Sequence, residues 1–192
     1  MKRIAFTLLT LAVCIGFSGC KSPPDMESDE SMFDYMQEEV AKILKKGGLA
    51  SVGIAESRNT QLAITKAKVE ARKNLAQDVQ VKIENLEKAF IEEIGEARGS
   101  EINELFSSAT KQITSQTLQG TVPKMQKYET DDGITTAYIL MVLDPEIIHE
   151  SLKNGSNSAK HLYERFRASK AFEELDKEIK EFDEAERAGY LN

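Results

Sequence analysis

The pattern of apolar residues between positions 31 and 56 changes from a helical period to an alternating one. One helical face carries Phe33, Met36, Val40, Ile43 and Leu44. Ser31 predicts the N-cap of this helix, and Gly47-Gly48 predicts its end. Residues 49–56 then alternate, which predicts a short strand with one face formed by Ala50, Val52 and Ile54.

A long amphipathic helix is predicted next, capped by Ser57, Asn59 or Thr60. Its stripe follows steps of three or four along Leu62, Ala63, Lys66, Ala67, Glu70, Ala71, Asn74, Leu75, Val79, Ile83, Leu86, Phe90 and Ile94. The small alanines on this stripe predict a close approach to a sheet. Residues 79–83 also alternate as a strand would, but the continuing stripe favours a helix. A second helix is predicted from about Glu101, giving way to a strand near Thr117.

A β-hairpin is predicted from residues 118–129 and 134–143. Asp132-Gly133 lies between them, and Asp-Gly supplies the positive φ angles that a tight turn needs. Pro123 predicts an edge position for the first strand, or a restriction of its pairing. The second strand is apolar on both faces over residues 137–143, which predicts a central strand covered on both sides. The long helix covers one face of this strand, so another element must cover the second face. The alternatives are the Phe33 helix, the C-terminal helix and a second copy of the chain, so a homodimer is one prediction.

The last third of the chain is predicted to be helical. Asp144-Pro145 begins a short helix, and residues 154–158 break the pattern. A charged helix over residues 159–188 then carries a partial stripe of Leu162, Phe166, Phe172, Leu175, Ile179 and Phe182. This tail either docks on the domain as a solvated helix or pairs with a partner.

These elements predict an α+β fold. A small three-stranded, mainly antiparallel sheet in the order β-α-α-β-β packs on a long helix as a two-layer domain, with an N-terminal and a C-terminal helix added. The predicted domain covers residues 32–152, and the charged C-terminal helix covers residues 153–192.

The first 19 residues have the three-part layout of an export signal. A basic start, an uncharged apolar core over residues 4–17 and the small residues Ser18 and Gly19 precede Cys20. The core is shorter than the roughly 20 residues that a membrane-spanning helix needs. We therefore predict a signal peptide over residues 1–19, a mature chain that begins at Cys20, and a polar tether over residues 20–31.

Cys20 is the predicted lipidation site. A thiolate at that position can be alkylated by a lipid-derived electrophile, and the α-amine freed by cleavage can then be acylated, which anchors the chain stably. The alternative is an ordinary secretory signal in which the cysteine is incidental. Lys21 follows Cys20, and resemblance to lipoproteins of two-membrane bacteria implies sorting to the outer membrane. Cys14 leaves with the signal, so no disulfide is predicted.

The charge balance excludes one class of partner. The chain has 25 Lys and Arg against 32 Asp and Glu, a formal net charge of −7. Affinity for nucleic acid comes from clustered cations, so no nucleic-acid partner is predicted.

Candidate catalytic and metal-binding residues are few. The chain has two histidines, His149 and His161, and no further ligand at metal spacing accompanies either one. The acidic pairs Glu92-Glu93, Asp131-Asp132 and Glu173-Glu174 are predicted to be solvated helix charges or turn residues. Gly47-Gly48 lacks the lysine and hydroxyl of a phosphate loop. Gly53 either admits a ligand or backbone or merely weakens packing. No catalytic residue, metal or cofactor is predicted.

The order strand, alanine-rich helix and hairpin resembles the Lpp-twenty family of bacterial lipoproteins, whose domain is similar to part of a flagellar assembly protein. The resemblance covers residues 49–152 and rests on residues 52–55, the helix 63–76, and the runs 114–120 and 133–144. The family often carries a tryptophan before the first strand, and this chain has none. The resemblance implies a two-layer α/β domain on a lipid anchor, without an established catalytic activity.

We therefore predict a non-enzymatic, outer-membrane-anchored lipoprotein that acts as an envelope interaction or assembly module. Its predicted contact surfaces are an exposed face of the strand at residues 137–143 and the C-terminal helix. The alternative is a periplasmic module that binds a small molecule or peptide between sheet and helices.

Overall fold

The computed structural model describes residues 31–95, 99–156 and 159–190, with the backbone alone at 118–120. Within these ranges the chain forms six helices and three strands: α1 Met32–Leu44, β1 Leu49–Ser57, α2 Thr60–Ile94, α3 Gly99–Gly120, β2 Pro123–Asp131, β3 Ile134–Leu143, α4 Glu146–Gly155, α5 Lys160–Arg167 and α6 Lys170–Arg187. The predicted α+β class and the order β-α-α-β-β are confirmed.

The sheet has the order β1-β3-β2, and both pairings are antiparallel. The strand that is apolar on both faces is thus the central one, as predicted. Pro123 begins the edge strand β2, where its missing N–H removes no ladder hydrogen bond from the middle of the sheet. Asp132 and Gly133 form the hairpin turn with φ angles of 45° and 72°, which confirms the Asp-Gly prediction.

Helix α2 covers one face of the sheet along its alanine stripe. Asn59 is its N-cap, because the Asn59 side chain accepts a hydrogen bond from Leu62 N. The helical interpretation of residues 79–83 is confirmed: Val79 and Ile83 are buried, whereas Val81 between them is 56% exposed. The main core lies between α2, the sheet and the later helices.

Helix α1 lies on the opposite face of the sheet. Ser31 caps it, and the face formed by Met36 and Ile43 packs with Tyr138 and Leu140 of β3 in a second core. Phe182 of α6 completes that core. The prediction of an exposed, partner-binding face at residues 137–143 is wrong, because residues 137–141 are buried by the chain's own elements. The homodimer stays a prediction, but covering this strand does not require it.

The C-terminal tail docks on the domain, but as two helices. Leu162, Phe166 and Leu175 belong to the main core. A single helix over residues 159–188 was the wrong prediction, because the chain turns between α5 and α6 at Ser169. The buried Ser169 hydroxyl donates to Phe166 O at 2.6 Å and accepts from Phe172 N at 3.3 Å, which caps α6.

Helix α3 is longer than predicted. It begins at Gly99 and continues to Gly120, so no strand begins near Thr117. Ile113 and Thr117 are both buried along it. β-branched residues favour strands in general, but burial of this face against the rest of the fold overrides that preference.

Candidate functional site

The predicted lipidation site lies outside the described residues, as do the signal peptide and nearly all of the tether. Cys20 is therefore known here only from its sequence context. Within the described ranges, no helix combines the length and apolar character needed to cross a membrane.

An open concavity lies beside β1, between α1 and α2. We call it the β1 groove, and its volume is about 660 Å³. It is lined by Gln37, Val40 and Leu44 of α1, by Leu49, Ala50, Ser51 and Val52 of β1, and by Asn74, Gln77, Asp78, Val81, Lys82 and Asn85 of α2. The groove is open, and four of its side chains are neutral carboxamides.

One carboxamide already contacts the strand. The Asn74 Nδ2 amide donates a hydrogen bond to Val52 O at 2.9 Å. Asn74 belongs to the stripe of α2 that otherwise consists largely of apolar residues and faces the sheet. Lys66 and Glu70 interrupt the same stripe, so the sequence pattern does not single out Asn74 as a functional residue.

The charges of the groove are unequal. Lys82 forms an ion pair with Glu178 of α6, so its charge is already matched. Asp78 is exposed and has no ion pair among the described residues. The groove therefore presents an unmatched carboxylate, in a chain whose net charge is −7.

His149 lies on α4, away from the groove, where its side chain meets Tyr163 of α5. Its Nε2 atom is 2.9 Å from the Tyr163 hydroxyl, and the Phe172 ring meets the imidazole edge-on at 5.2 Å between ring centroids. Burial lowers the pKa of His149 below its ordinary value. His161 Nε2 lies 3.6 Å from Glu101 Oε2 at a half-exposed position. Among the described residues, neither histidine belongs to a cluster of possible metal ligands.

One residue from each of two acidic pairs has a structural role. Glu93 Oε2 accepts a hydrogen bond from Lys170 N at 2.9 Å at the start of α6. Asp132 forms the hairpin turn. Asp144, Glu146 and Asp183 form a carboxylate cluster that sequence analysis missed, because α6 brings Asp183 from a distant part of the chain. Asp144 Oδ1 accepts from Glu146 N at 2.8 Å, so this carboxylate acts at the start of α4.

Acid is expected to destabilise the protein through His149. Its pKa is lower in the folded chain than the value of about 6.5 in an unfolded chain. Its contribution to stability is therefore fully present above pH of about 6.5 and is lost as the pH falls through the folded pKa. Urea denaturation of His149→Gln at several pH values should show a smaller loss of stability between pH 7 and 5 than the parent chain.

The matched control for that experiment is His161→Gln, which removes the second imidazole from a half-exposed site. If both variants change the pH dependence of stability equally, the half-buried position of His149 has no special role.

The chain matches no protein-family model, no curated protein and no solved structure. The resemblance to the Lpp-twenty lipoproteins over residues 49–152 therefore stays a prediction.

Proposed function

We propose that this chain is a non-enzymatic lipoprotein, anchored through Cys20 in the outer membrane, that binds another protein at the cell envelope. The β1 groove is the observation that supports protein binding. It combines exposed aliphatic side chains with neutral amides, and such amides hydrogen-bond a polypeptide backbone without burying a charge. Helix α1 and Phe182 cover the sheet face, and the tail docks on the domain, so the β1 groove replaces both as the proposed contact surface.

A second candidate function rests on the same groove. Its volume of about 660 Å³ lies within the range of roughly 300–1,000 Å³ that small-molecule sites occupy. A periplasmic module for a small molecule or a peptide would show a saturable rise in melting temperature with an envelope metabolite. A protein-binding module would show no such rise with metabolites and would crosslink to protein through groove residues.

The lipid anchor is tested by labelling cells with a radioactive fatty acid. The full chain is expected to incorporate the label and to fractionate with the outer membrane, whereas Cys20→Ser should lose both, because serine supplies no thiolate to alkylate. Cys14→Ser is the matched control and should label fully, since Cys14 is removed with the signal peptide. If the parent chain incorporates no label, or if both variants lose it equally, the prediction of a lipid anchor at Cys20 is wrong.

Protein binding is tested in intact cells with a photo-crosslinking amino acid. At Gln77, which lines the groove, it should yield a defined protein adduct. At the exposed Glu173 of α6, which lies outside the groove lining, it should not. Equal adducts from both positions, or none from either, would count against the groove.

A further inference from the structure

We propose that the β1 groove binds an extended polypeptide segment, which pairs with the free edge of β1 as a fourth strand and carries apolar residues and a cationic residue. This inference rests on the proposed function, since it specifies how the groove binds a protein. The occupant is a segment of another polypeptide.

The edge of β1 that faces the groove has unused backbone groups. In an antiparallel ladder, alternate residues direct both backbone groups toward the partner strand or away from it. Val52 O accepts from Asn74 on the side away from β3, so Ala50 and Ile54 also direct their backbone groups outward. No hydrogen bond among the described residues uses the outward groups of Ala50 and Ile54. A neighbouring strand would satisfy them.

The two edges of the sheet differ in how they resist strand addition. The β2 edge begins with Pro123, has an irregular register between Pro123 and Met125, and carries Lys127 and Glu129. Proline, bulges and charges are the features by which proteins block unwanted pairing at an edge. By contrast, β1 contains no proline and has one charged residue, Glu56, near its end. The edge beside the groove therefore has fewer of these protections than the β2 edge.

The walls of the groove restrict the occupant to a single segment. Helix α1 and helix α2 pack on opposite faces of the sheet, and both line the groove beside the β1 edge. A strand from a second copy would carry its own helices on both faces, and these would meet α1 and α2. A single extended segment brings no such layers, which is the geometry of peptide addition to a sheet edge.

The side chains of the walls specify the chemistry of the segment. Leu44 of α1 is 51% exposed and Val81 of α2 is 56% exposed, so each wall offers an apolar contact. The unmatched Asp78 carboxylate lies on the α2 wall. Because strand side chains alternate between faces, a segment with apolar residues toward α1 and a lysine or arginine toward Asp78 would complement both walls in shape and charge.

The test selects nine-residue peptides from a displayed random library against the full chain in detergent. The selected peptides should alternate apolar and polar residues and be enriched in lysine or arginine. Binding of a synthetic selected peptide should slow amide hydrogen exchange at Ala50 and Ile54. Enrichment of no sequence, or protection at β2 and not at β1, would overturn the inference.

Two variants test the edge and the charge separately. Ile54→Pro removes an outward N–H group without removing a β1–β3 hydrogen bond. It should lower the affinity for the selected peptide by about tenfold. The matched control, Tyr128→Pro at an outward position of the β2 edge, should leave affinity unchanged. Asp78→Lys reverses the charge of an exposed side chain and should weaken the binding of cationic peptides and strengthen the binding of acidic ones. Full affinity in both Ile54→Pro and Asp78→Lys would overturn the inference.

The outcomes separate this inference from the proposed function. Label at Cys20 and a protein adduct at Gln77 together with no protection of β1 would reject strand addition and leave a lipid-anchored interaction module. Absence of both label and adduct would reject the proposed function itself.

Discussion

Gly53→Ala is expected to lower the free energy of unfolding by about 3 kcal/mol, the upper end of the range for an overpacked core and a large part of the roughly 5–15 kcal/mol that stabilises a domain. A Cβ at Gly53 would lie 2.2 Å from both Ala67 O and Ala71 N of α2. These are backbone atoms, so no side-chain rotation relieves the clash, and α2 must move away from β1. Urea denaturation followed by circular dichroism measures the loss.

Gly155→Ala is the matched control for this substitution. Gly155 is the last residue of α4, and a Cβ there meets nothing closer than 3.6 Å. Alanine loses less backbone entropy than glycine in a helix, so this variant should be as stable as the parent chain or slightly more so. A Gly53→Ala protein with the parent's denaturation midpoint would contradict the close packing of α2 on β1.

Phe166→Ala is expected to cost about 3–5 kcal/mol, the range for removing a buried phenylalanine. The Phe166 ring is fully buried and meets three other rings nearly at right angles: Phe90 at 5.5 Å, Phe106 at 5.4 Å and Phe172 at 5.6 Å between centroids. Such edge-on pairs add to the free energy of burial. The variant leaves a cavity where α5 meets α2 and α3, so the tail should also become sensitive to limited proteolysis.

Phe33→Ala makes the same chemical change at a position on α1 that is 43% exposed. It should cost about 1 kcal/mol, well below the loss at Phe166, because nearly half of the Phe33 side chain is already exposed. Equal destabilisation by the two substitutions, or a Phe166→Ala protein whose tail resists protease as the parent's does, would show that Phe166 does not hold the tail on the domain.

Local features of the sequence were sufficient for most elements of the fold. Ser31 and Asn59 cap helices through hydrogen bonds to residues three positions later, and Asp132-Gly133 forms a turn through its own φ angles. The prediction of a strand near Thr117 was wrong, because burial of one face of α3 outweighs the strand preference of a single β-branched residue. The single tail helix was wrong because the break at Ser169 depends on a capping hydrogen bond that no periodicity reveals.

The candidate site was much less predictable than the fold. The groove exists because α1 packs on one face of the sheet and α2 on the other. The sequence predicted α2 on its face, but for the opposite face it left three alternatives: the Phe33 helix, the C-terminal helix or a second copy of the chain. Asn74 was recognised as a member of a helical stripe, but its contact with Val52 O joins residues that are 22 positions apart. Asp78 is unmatched while Lys82 is paired, because Glu178 arrives from 96 positions further along the chain.

The amino-acid sequence alone gives the acidic net charge and the predicted lipidation at Cys20. It also determines the hairpin turn and most of the helices, because turns and helix caps depend on interactions within a few neighbouring residues. Only the tertiary structure decided which helices pack on which face of the sheet. It placed α1 and Phe182 over the second face of the sheet, buried the strand proposed as a contact surface, and left the β1 edge open in a groove. These outcomes depend on the packing of distant segments, and a local pattern of apolar residues shows that a face is buried without showing what buries it.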